Sequence, residues 1–119
     1  MKFNEFITFL GTDDLKKTSH FYQNILGLTL YKDQKICLIF HINNQSKIGF
    51  CEHIPVICND KSPIITLVTE EVDEFFHKLI KKGLEIVEGP KLNKMFNIYH
   101  FFFKDPNGYT IEIQRFLEE

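Results

Sequence analysis

The sequence predicts an α+β fold built from two similar halves, because the same order of elements occurs twice along its 119 residues. In each half a β-type run precedes an amphipathic helix pattern that ends in Gly-Leu, at 27–28 and again at 83–84, and further β-type runs follow. The repeat has a period of about 57 residues. We predict one domain over 1–119 with two βαβββ modules, at about 1–55 and about 62–119, whose strands form a curved, cup-shaped mixed sheet with the helices on its outer face.

The first module begins with a β-type run at 3–10 and continues into a helix. Thr12, Asp13 and Asp14 supply an N-cap and negative charge for that helix, and Gly27 ends it. The apolar stripe of the helix consists of Leu15, Thr18, Phe21, Tyr22, Ile25 and Leu26. Three short β-type runs follow, with the sequences LTLY, KICLIF and KIGFCE.

The second module repeats this order. A β-type run at 64–69 precedes a helix that we expect Thr69 to cap, with two glutamates in its first turn and Gly83 at its end. The apolar stripe of this helix consists of Val72, Phe75, Phe76, Leu79 and Ile80. The segment 88–97, EGPKLNKMFN, is predicted to be a loop before the last hairpin.

Composition excludes several classes of function. Hydrophobic residues make up 44% of the chain and 13 residues are Phe, which indicates a packed globule rather than a disordered chain. A formal net charge of −2 argues against a nucleic-acid partner. No apolar run approaches the length of a membrane span, and the N-terminal stretch lacks the features of a secretory signal. We therefore expect a cytoplasmic protein with no membrane partner.

The number and spacing of the cysteines also favour a cytoplasmic protein. The chain has three cysteines, Cys37, Cys51 and Cys58, an odd number without C-x-x-C spacing. This pattern is more typical of reduced thiols than of a disulfide framework or a zinc knuckle. We therefore expect reduced thiols.

The last two β-type runs are joined by the turn sequence Asp105-Pro106-Asn107-Gly108, which is typical of a type I turn followed by a left-handed glycine. This turn places Asp105 opposite Tyr109. Counting outward, the predicted pairs are Phe103 with Ile111, Phe102 with Glu112, Phe101 with Ile113 and His100 with Gln114. Because side chains alternate along strands, His100, Phe102, Thr110, Glu112 and Gln114 share one face, and the other four paired residues share an apolar face.

Glu112 is the unusual residue of this hairpin, since it lies between two isoleucines. The apolar face belongs against the helices, so Glu112 is expected on the opposite face together with His100. If that face is simply solvated, Glu112 is an ordinary surface carboxylate. If the two half-sheets curl around a common cup, Glu112 lines a mixed polar and apolar pocket.

The stretch DDLKKTSHFYQNILGL and the hairpin FFFKDPNGYTIEI resemble the vicinal oxygen chelate superfamily, which includes glyoxalase I, bleomycin-resistance proteins, fosfomycin-resistance enzymes and extradiol dioxygenases. The resemblance covers essentially the whole chain. It implies paired βαβββ modules, a cup-shaped sheet and a homodimer. It implies no single activity, because members of this superfamily range from metalloenzymes to pure binding proteins.

The resemblance also implies where a metal would be bound, since metal-dependent members take ligands from the first and the last or near-last strand of each half. These positions fall on Glu112, Ile7, Ile64 and either Gly49 or Cys51. An isoleucine cannot bind a divalent ion. We therefore expect a degenerate metal site and no cofactor. The alternative is a divalent metal on Glu112, His100 and a distant third group such as Glu52 or His53.

His100 and Glu112 are the candidate catalytic residues. They lie diagonally across two strands, at a Cβ spacing of roughly 7 Å that their side chains can bridge directly or through water. Such a pair can act as general acid and base, or it can be a hydrogen-bonded pair with no chemical role.

Candidate ligand contacts are the other residues expected to face the cup. They are Ile7, Phe9, Ile64, Thr66, Val68, Phe102, Gln114 and the thiol of Cys51. This largely apolar lining suits a flat or aliphatic ligand. Packing across a dimer interface would bury the same residues equally well.

We predict a metal-free small-molecule binding protein of the glyoxalase/bleomycin-resistance type, which holds an apolar or aromatic ligand with Glu112 and His100 as polar contacts. The first alternative is an enzyme, namely a lyase, isomerase or dioxygenase that uses a metal on Glu112 or acid–base chemistry of the pair. The second alternative is a dimeric interaction protein whose cup is filled by side chains. The sequence leaves open whether the protein is an enzyme.

Overall fold

The computed structural model describes residues 1–117 and divides into two compact units, Met1–Ile57 and Cys58–Glu119. Residues 118 and 119 of the predicted second module lie outside the described part. Each unit has the element order β-α-β-β-β, so the predicted α+β fold with two βαβββ modules is confirmed. No helix within residues 1–117 combines the length and the apolar character needed to cross a membrane.

The first unit contains a four-stranded mixed sheet and one helix. Its elements are β1 (Phe6–Gly11), α1 (Leu15–His20) with a following π-helical turn (Phe21–Ile25), β2 (Thr29–Asp33), β3 (Cys37–His41) and β4 (Ser46–Cys51). The strand order is β1-β4-β3-β2. Strand β1 runs parallel to β4, and the other neighbours are antiparallel.

Capping and helix packing follow the sequence pattern in this unit. Asp14 is the N-cap of α1, and its carboxylate accepts a hydrogen bond from the Lys17 amide at 3.0 Å. Gly27 has φ of 84°, the left-handed conformation expected after a helix. The Tyr22 ring packs on Phe40 and Phe50, with centroid distances of 6.0 and 4.5 Å. The stripe of the helix therefore covers one face of the sheet.

The second unit repeats this arrangement with a longer helix. Its elements are β5 (Ile64–Val68), α2 (Val72–Lys81), β6 (Lys91–Asn93), β7 (Ile98–Lys104) and β8 (Thr110–Phe116). The strand order is β5-β8-β7-β6, with β5 parallel to β8. The segment 88–97, predicted to be a loop, contains the short strand β6, which pairs with the start of β7.

The start of α2 differs from the prediction. Thr69 does not cap the helix, because α2 begins at Val72 and its N-cap residue is Glu71, which makes no side-chain cap. The Thr69 hydroxyl instead accepts a hydrogen bond from the Glu71 amide at 3.1 Å, in a turn that precedes the helix. The helix packs on its sheet through Phe76, whose ring meets that of Phe101 edge-on at 5.4 Å.

The expectation of reduced thiols is wrong for two of the three cysteines. Cys37 and Cys51 form a disulfide, and Cys58 is free and exposed. The register of β3 and β4 is the physical reason, since it sets Cys37 directly opposite Cys51 on neighbouring antiparallel strands. Cys51 therefore offers no pocket thiol in this structure.

Gly11 at the end of β1 allows a close approach of backbone, and we expect Gly11→Ala to destabilise the protein. An added Cβ would lie 2.2 Å from the Ile54 carbonyl oxygen and 2.4 Å from that of Pro55. Both are backbone atoms, so the strand must shift, at a cost of about 2 kcal/mol in unfolding free energy. Denaturant unfolding measures this loss.

Gly89→Ala is the matched control. A Cβ at Gly89 meets only the Phe76 ring at 3.5 Å, an ordinary contact. Its unfolding free energy should change by less than about 0.5 kcal/mol. Equal effects of the two substitutions would contradict the steric argument.

Candidate functional site

The β7–β8 hairpin has the register that its turn predicts. Gly108 has φ of 96°, and the Asp105 amide donates to the Tyr109 carbonyl at 3.0 Å. The Asp105 carboxylate also accepts from the amides of Asn107 and Tyr109, both at 2.9 Å. Phe102 therefore pairs with Glu112, and His100 with Gln114.

The two faces of the hairpin have the predicted composition. Phe101, Phe103, Ile111 and Ile113 are buried, and Phe101 contacts helix α2. The opposite face, which we call the open face, carries His100, Phe102, Thr110, Glu112 and Gln114. Glu112 is only 8% exposed and His100 only 4%. Glu112 is thus not an ordinary surface carboxylate.

Three neighbours donate hydrogen bonds to the Glu112 carboxylate. The Thr66 hydroxyl donates to Oε1 at 2.7 Å, and His100 Nδ1 lies 2.6 Å from Oε2. With its amide nitrogen turned toward the carboxylate, Gln114 donates to Oε2 and Oε1 at 3.1 and 3.3 Å. Both oxygens therefore act as acceptors, which suits a carboxylate.

The bond to Glu112 fixes the role of each nitrogen of His100. Nδ1 is the donor, because a carboxylate oxygen only accepts. Nε2 makes no hydrogen bond with residues 1–117, and every buried side-chain nitrogen or oxygen among them has a partner. Nε2 is therefore accessible to solvent or to a ligand. The His100 ring also meets the Phe102 ring edge-on at 5.0 Å.

A cavity of about 470 Å³ lies against this open face. Its apolar lining residues are Ile64, Phe96, Ile98, Phe102 and Phe116. Its polar lining residues are Lys61, Asn93, His100, Glu112 and Gln114. The Lys61 ammonium group lies 4.5 Å from the centroid of the Phe102 ring, so a cation and an aromatic face stand together at the cavity.

A second cavity of about 320 Å³ shares Lys61, His100 and Phe102 with the first. It is also lined by the 85–91 segment, including Glu88 and Lys91, which form a salt bridge at 3.0 Å. Ligand-sized space therefore adjoins His100 at both cavities.

The predicted ligand contacts do not all meet at this cavity. Ile64, Phe102 and Gln114 line it, whereas Thr66 is exposed and binds Glu112. Val68 is 59% exposed and is not among the lining residues.

Ile7, Phe9 and Cys51 belong to the first unit. Phe9 is 45% exposed, and its ring lies against Gly49. Gly49 is the counterpart of Glu112, because it pairs with Phe9 in the parallel β1–β4 ladder as Glu112 pairs with Thr66 in β5–β8. The first unit thus has no carboxylate at the position of Glu112.

Sequence reasoning missed five lining residues. Strand parity could have found two of them, since Ile98 and Phe116 have the same alternation as His100 and Gln114. Lys61, Asn93 and Phe96 come from connections and the short strand β6, where no periodic signal indicates side-chain direction.

Tyr99 faces the helix side, as its parity predicts. Its hydroxyl donates to the Asp73 carboxylate of α2 at 2.5 Å, and this hydrogen bond, with a smaller contribution from burial, raises the pKa of Tyr99. The phenol therefore ties helix to sheet and does not belong to the cavity.

The residues at the family's metal positions do not fit a divalent ion. Ile7 and Ile64 offer only carbon, and both oxygens of Glu112 already accept hydrogen bonds. Within residues 1–117, the one group of three His, Cys, Asp or Glu side chains close enough to share a metal ion lies in the first unit and excludes Glu112.

Comparison with known proteins agrees with this fold. The model of the Glyoxalase/Bleomycin resistance protein/Dioxygenase superfamily matches residues 5–113. The chain therefore belongs to this superfamily, and the resemblance seen in its two motifs is confirmed. The comparison with curated proteins found no match.

Several solved structures share the fold. A glyoxalase/bleomycin resistance protein/dioxygenase from Nocardioides is 20% identical, with a TM-score of 0.78 over 99% of this chain and 86% of that one. Lactoylglutathione lyase from Agrobacterium tumefaciens is 18% identical, with a TM-score of 0.74 over 92% and 91%. TioX from Micromonospora sp. ML1 is 15% identical, with a TM-score of 0.77 over 95% and 98%.

We expect the His100 imidazole to carry its proton on Nδ1 when it is neutral, because Glu112 accepts from that nitrogen. Glu112→Gln should shift the ring toward the Nε2-protonated form, since the charged acceptor is lost. Nitrogen-15 chemical shifts of the imidazole measure the tautomer.

Thr66→Val is the control for this measurement. It removes a different donor to Glu112 and should leave the Nδ1 proton in place. An Nε2-protonated His100 in the unaltered protein would contradict the assigned hydrogen bond.

Proposed function

We propose that the protein binds a small apolar or aromatic molecule in the second unit, without a metal ion. The observation that carries this proposal is the open face of β7 and β8, where a buried His100–Glu112 pair adjoins a cavity of about 470 Å³. Cavities of this size suit small ligands, and mixed linings with few polar groups are typical of such sites.

The lining indicates the chemistry of the ligand. Phe102 offers a flat apolar surface, and Lys61 beside it favours a ligand that carries an anionic group. His100 Nε2 supplies one hydrogen bond, because its other nitrogen is held by Glu112. Glu112 orients the His100 ring rather than contacting the ligand itself, because both of its oxygens already accept hydrogen bonds from protein groups.

A second candidate function is acid–base catalysis by the same pair. A histidine whose Nδ1 donates to a carboxylate at 2.6 Å is held in one orientation and directs Nε2 to exchange a proton with a bound ligand. This geometry suits an isomerase or lyase that moves a proton on a bound ligand. One of the similar structures is a lactoylglutathione lyase.

The test of catalysis follows the test of binding. With a ligand in hand, exchange of its carbon-bound protons with deuterium in the solvent is followed by NMR, for the unaltered protein and His100→Gln. Exchange lost in His100→Gln supports the enzyme. Binding without exchange supports the binding protein.

The predicted homodimer remains a prediction, as does the alternative of an interaction protein with a filled cup. Sedimentation measurements determine the mass in solution. Lack of binding by any small molecule, together with a stable dimer, would favour the interaction protein.

We expect 1-anilinonaphthalene-8-sulfonate, a flat aromatic anion, to bind one site per chain and to stabilise the protein by an amount that grows with the logarithm of its concentration above Kd. At 100 times Kd the stabilisation is about 2.7 kcal/mol. Phe102→Ala and Lys61→Ala should each weaken binding at least about tenfold, because they remove the aromatic face and the cation. Fluorescence titration measures both affinities.

Phe3→Ala is the matched control for this titration. It removes a ring of the first unit that is 87% exposed and is not among the residues that line the cavity. Its affinity should equal that of the unaltered protein. Equal weakening by Phe3→Ala and Phe102→Ala would show binding to exposed apolar surface rather than to the cavity.

We expect the oxidised protein to purify without a stoichiometric divalent ion and its melting temperature to be insensitive to added divalent ions, because isoleucine occupies two of the family's metal positions, 7 and 64, and leaves Glu112 without partner ligands there. Elemental analysis and thermal melting measure both properties. About one bound metal per chain that disappears in Glu112→Ala would instead make this a metalloenzyme with relocated ligands.

A further inference from the structure

Cys37, Cys51 and His53 of the first unit form a compact group of sulfur and nitrogen atoms. One ligand atom from each lies within 4.8 Å of the others, and Cys37 Sγ is 3.9 Å from His53 Nδ1. The two cysteines are 7% and 2% exposed, while His53 is exposed. The group is thus buried at the sulfur atoms and reachable from the histidine side.

The strand register holds the two sulfur atoms together without the disulfide. Cys37 and Cys51 are directly opposite in the antiparallel β3–β4 ladder, and His53 follows β4 by two residues. The ladder continues through Ile39–Gly49 and His41–Lys47, so the pair belongs to an extended register rather than to an isolated contact.

These spacings fit the coordination of a thiophilic ion. With Zn–S near 2.3 Å and Zn–N near 2.0 Å, a tetrahedral centre needs ligand atoms about 3.5 to 3.8 Å apart. Small side-chain rotations therefore bring the three atoms onto one centre once the sulfur atoms separate. Two thiolates and an imidazole are ligands that zinc prefers, and a fourth position stays open to water.

We propose that Cys37, Cys51 and His53 form a redox-gated binding site for Zn²⁺ or another thiophilic divalent ion. The disulfide closes the site, because its sulfur atoms are no longer thiolates. Reduction opens it. The site lies in the first unit and is independent of the proposed ligand cavity in the second.

The site is opened by reduction of the disulfide and is then filled by the metal ion. A dithiol reductant supplies two electrons and two protons, the Cys37–Cys51 S–S bond breaks, two thiols form, and the reductant becomes a cyclic disulfide. Zn²⁺ then displaces both thiol protons and binds the thiolates and His53 Nδ1, with two protons released to solvent.

The test compares oxidised and reduced protein of the same sequence. The protein is reduced with a trialkylphosphine, which takes up oxygen from water as the disulfide becomes two thiols, and the phosphine is removed without air. Co²⁺ is then titrated as a spectroscopic probe, and Zn²⁺ by competition with a chromophoric chelator. We expect one ion per chain for reduced protein, with sulfur-to-cobalt charge-transfer absorption, and none for oxidised protein.

Three variants assign the ligands. Cys51→Ser should lose the charge-transfer bands of the dithiolate site, and His53→Ala should weaken Zn²⁺ binding at least about tenfold. Cys58→Ser is the matched control, because Cys58 is a free cysteine of the second unit, and it should bind as the unaltered protein does. Since His53 is exposed, His53→Ala keeps the assignment testable even if Cys51→Ser fails to fold.

Several outcomes overturn the proposal. They are a folded reduced protein that binds no Co²⁺ or Zn²⁺, unchanged binding by Cys51→Ser, and binding that requires Cys58. A reduced chain that unfolds and is not restored by Zn²⁺ also overturns it, because the site needs the β3–β4 register. Circular dichroism of each reduced sample distinguishes these outcomes.

Discussion

The arrangement of the candidate site depends on the turn between β7 and β8. The Asp105 carboxylate accepts hydrogen bonds from the amides of Asn107 and Tyr109 and from the Asn107 side chain, and its carbonyl accepts from the Gly108 amide. These bonds hold one register, and strand alternation then determines the face on which each side chain lies. A slip by one residue would turn Glu112 toward helix α2 and would place an isoleucine beside His100. The polar pair is thus a consequence of backbone geometry several residues away.

The faces on which the side chains of β7 and β8 lie could be predicted from the sequence, because the turn between the two strands sets their register. Proline and glycine occupy positions where few other residues fit, so the register of the hairpin could be counted from the turn outward. That register placed His100 and Glu112 within reach of each other, and the structure shows that they bond directly. Lys61, Asn93 and Phe96 lie in segments without periodicity, and their contribution to the cavity depends on tertiary packing that no local pattern reports.

The disulfide was missed for a related reason. The β3–β4 connection contains no proline or glycine, and its turn is held by Asn43, whose side chain accepts from the amides of Gln45 and Ser46 at 2.9 Å. Several turn types are compatible with such a sequence, so the register of β3 and β4 could not be derived from it. The position of Cys37 opposite Cys51 could therefore not be predicted. An odd number of cysteines then suggested free thiols. Disulfide pairing depends on which cysteines lie opposite each other in the sheet, and the number of cysteines alone does not determine this.

The contact between Phe9 and Gly49 has a consequence for how this chain can change. A Cβ at Gly49 would lie 2.6 Å from the Phe9 ring, so the ring occupies the space that a side chain there would need. Gly49 is the counterpart of Glu112, so a carboxylate at this position of the first unit requires the Phe9 ring to turn away or to be replaced by a smaller side chain. The two units therefore share a fold, while the ring of Phe9 fills in one of them the space that the carboxylate side chain occupies in the other.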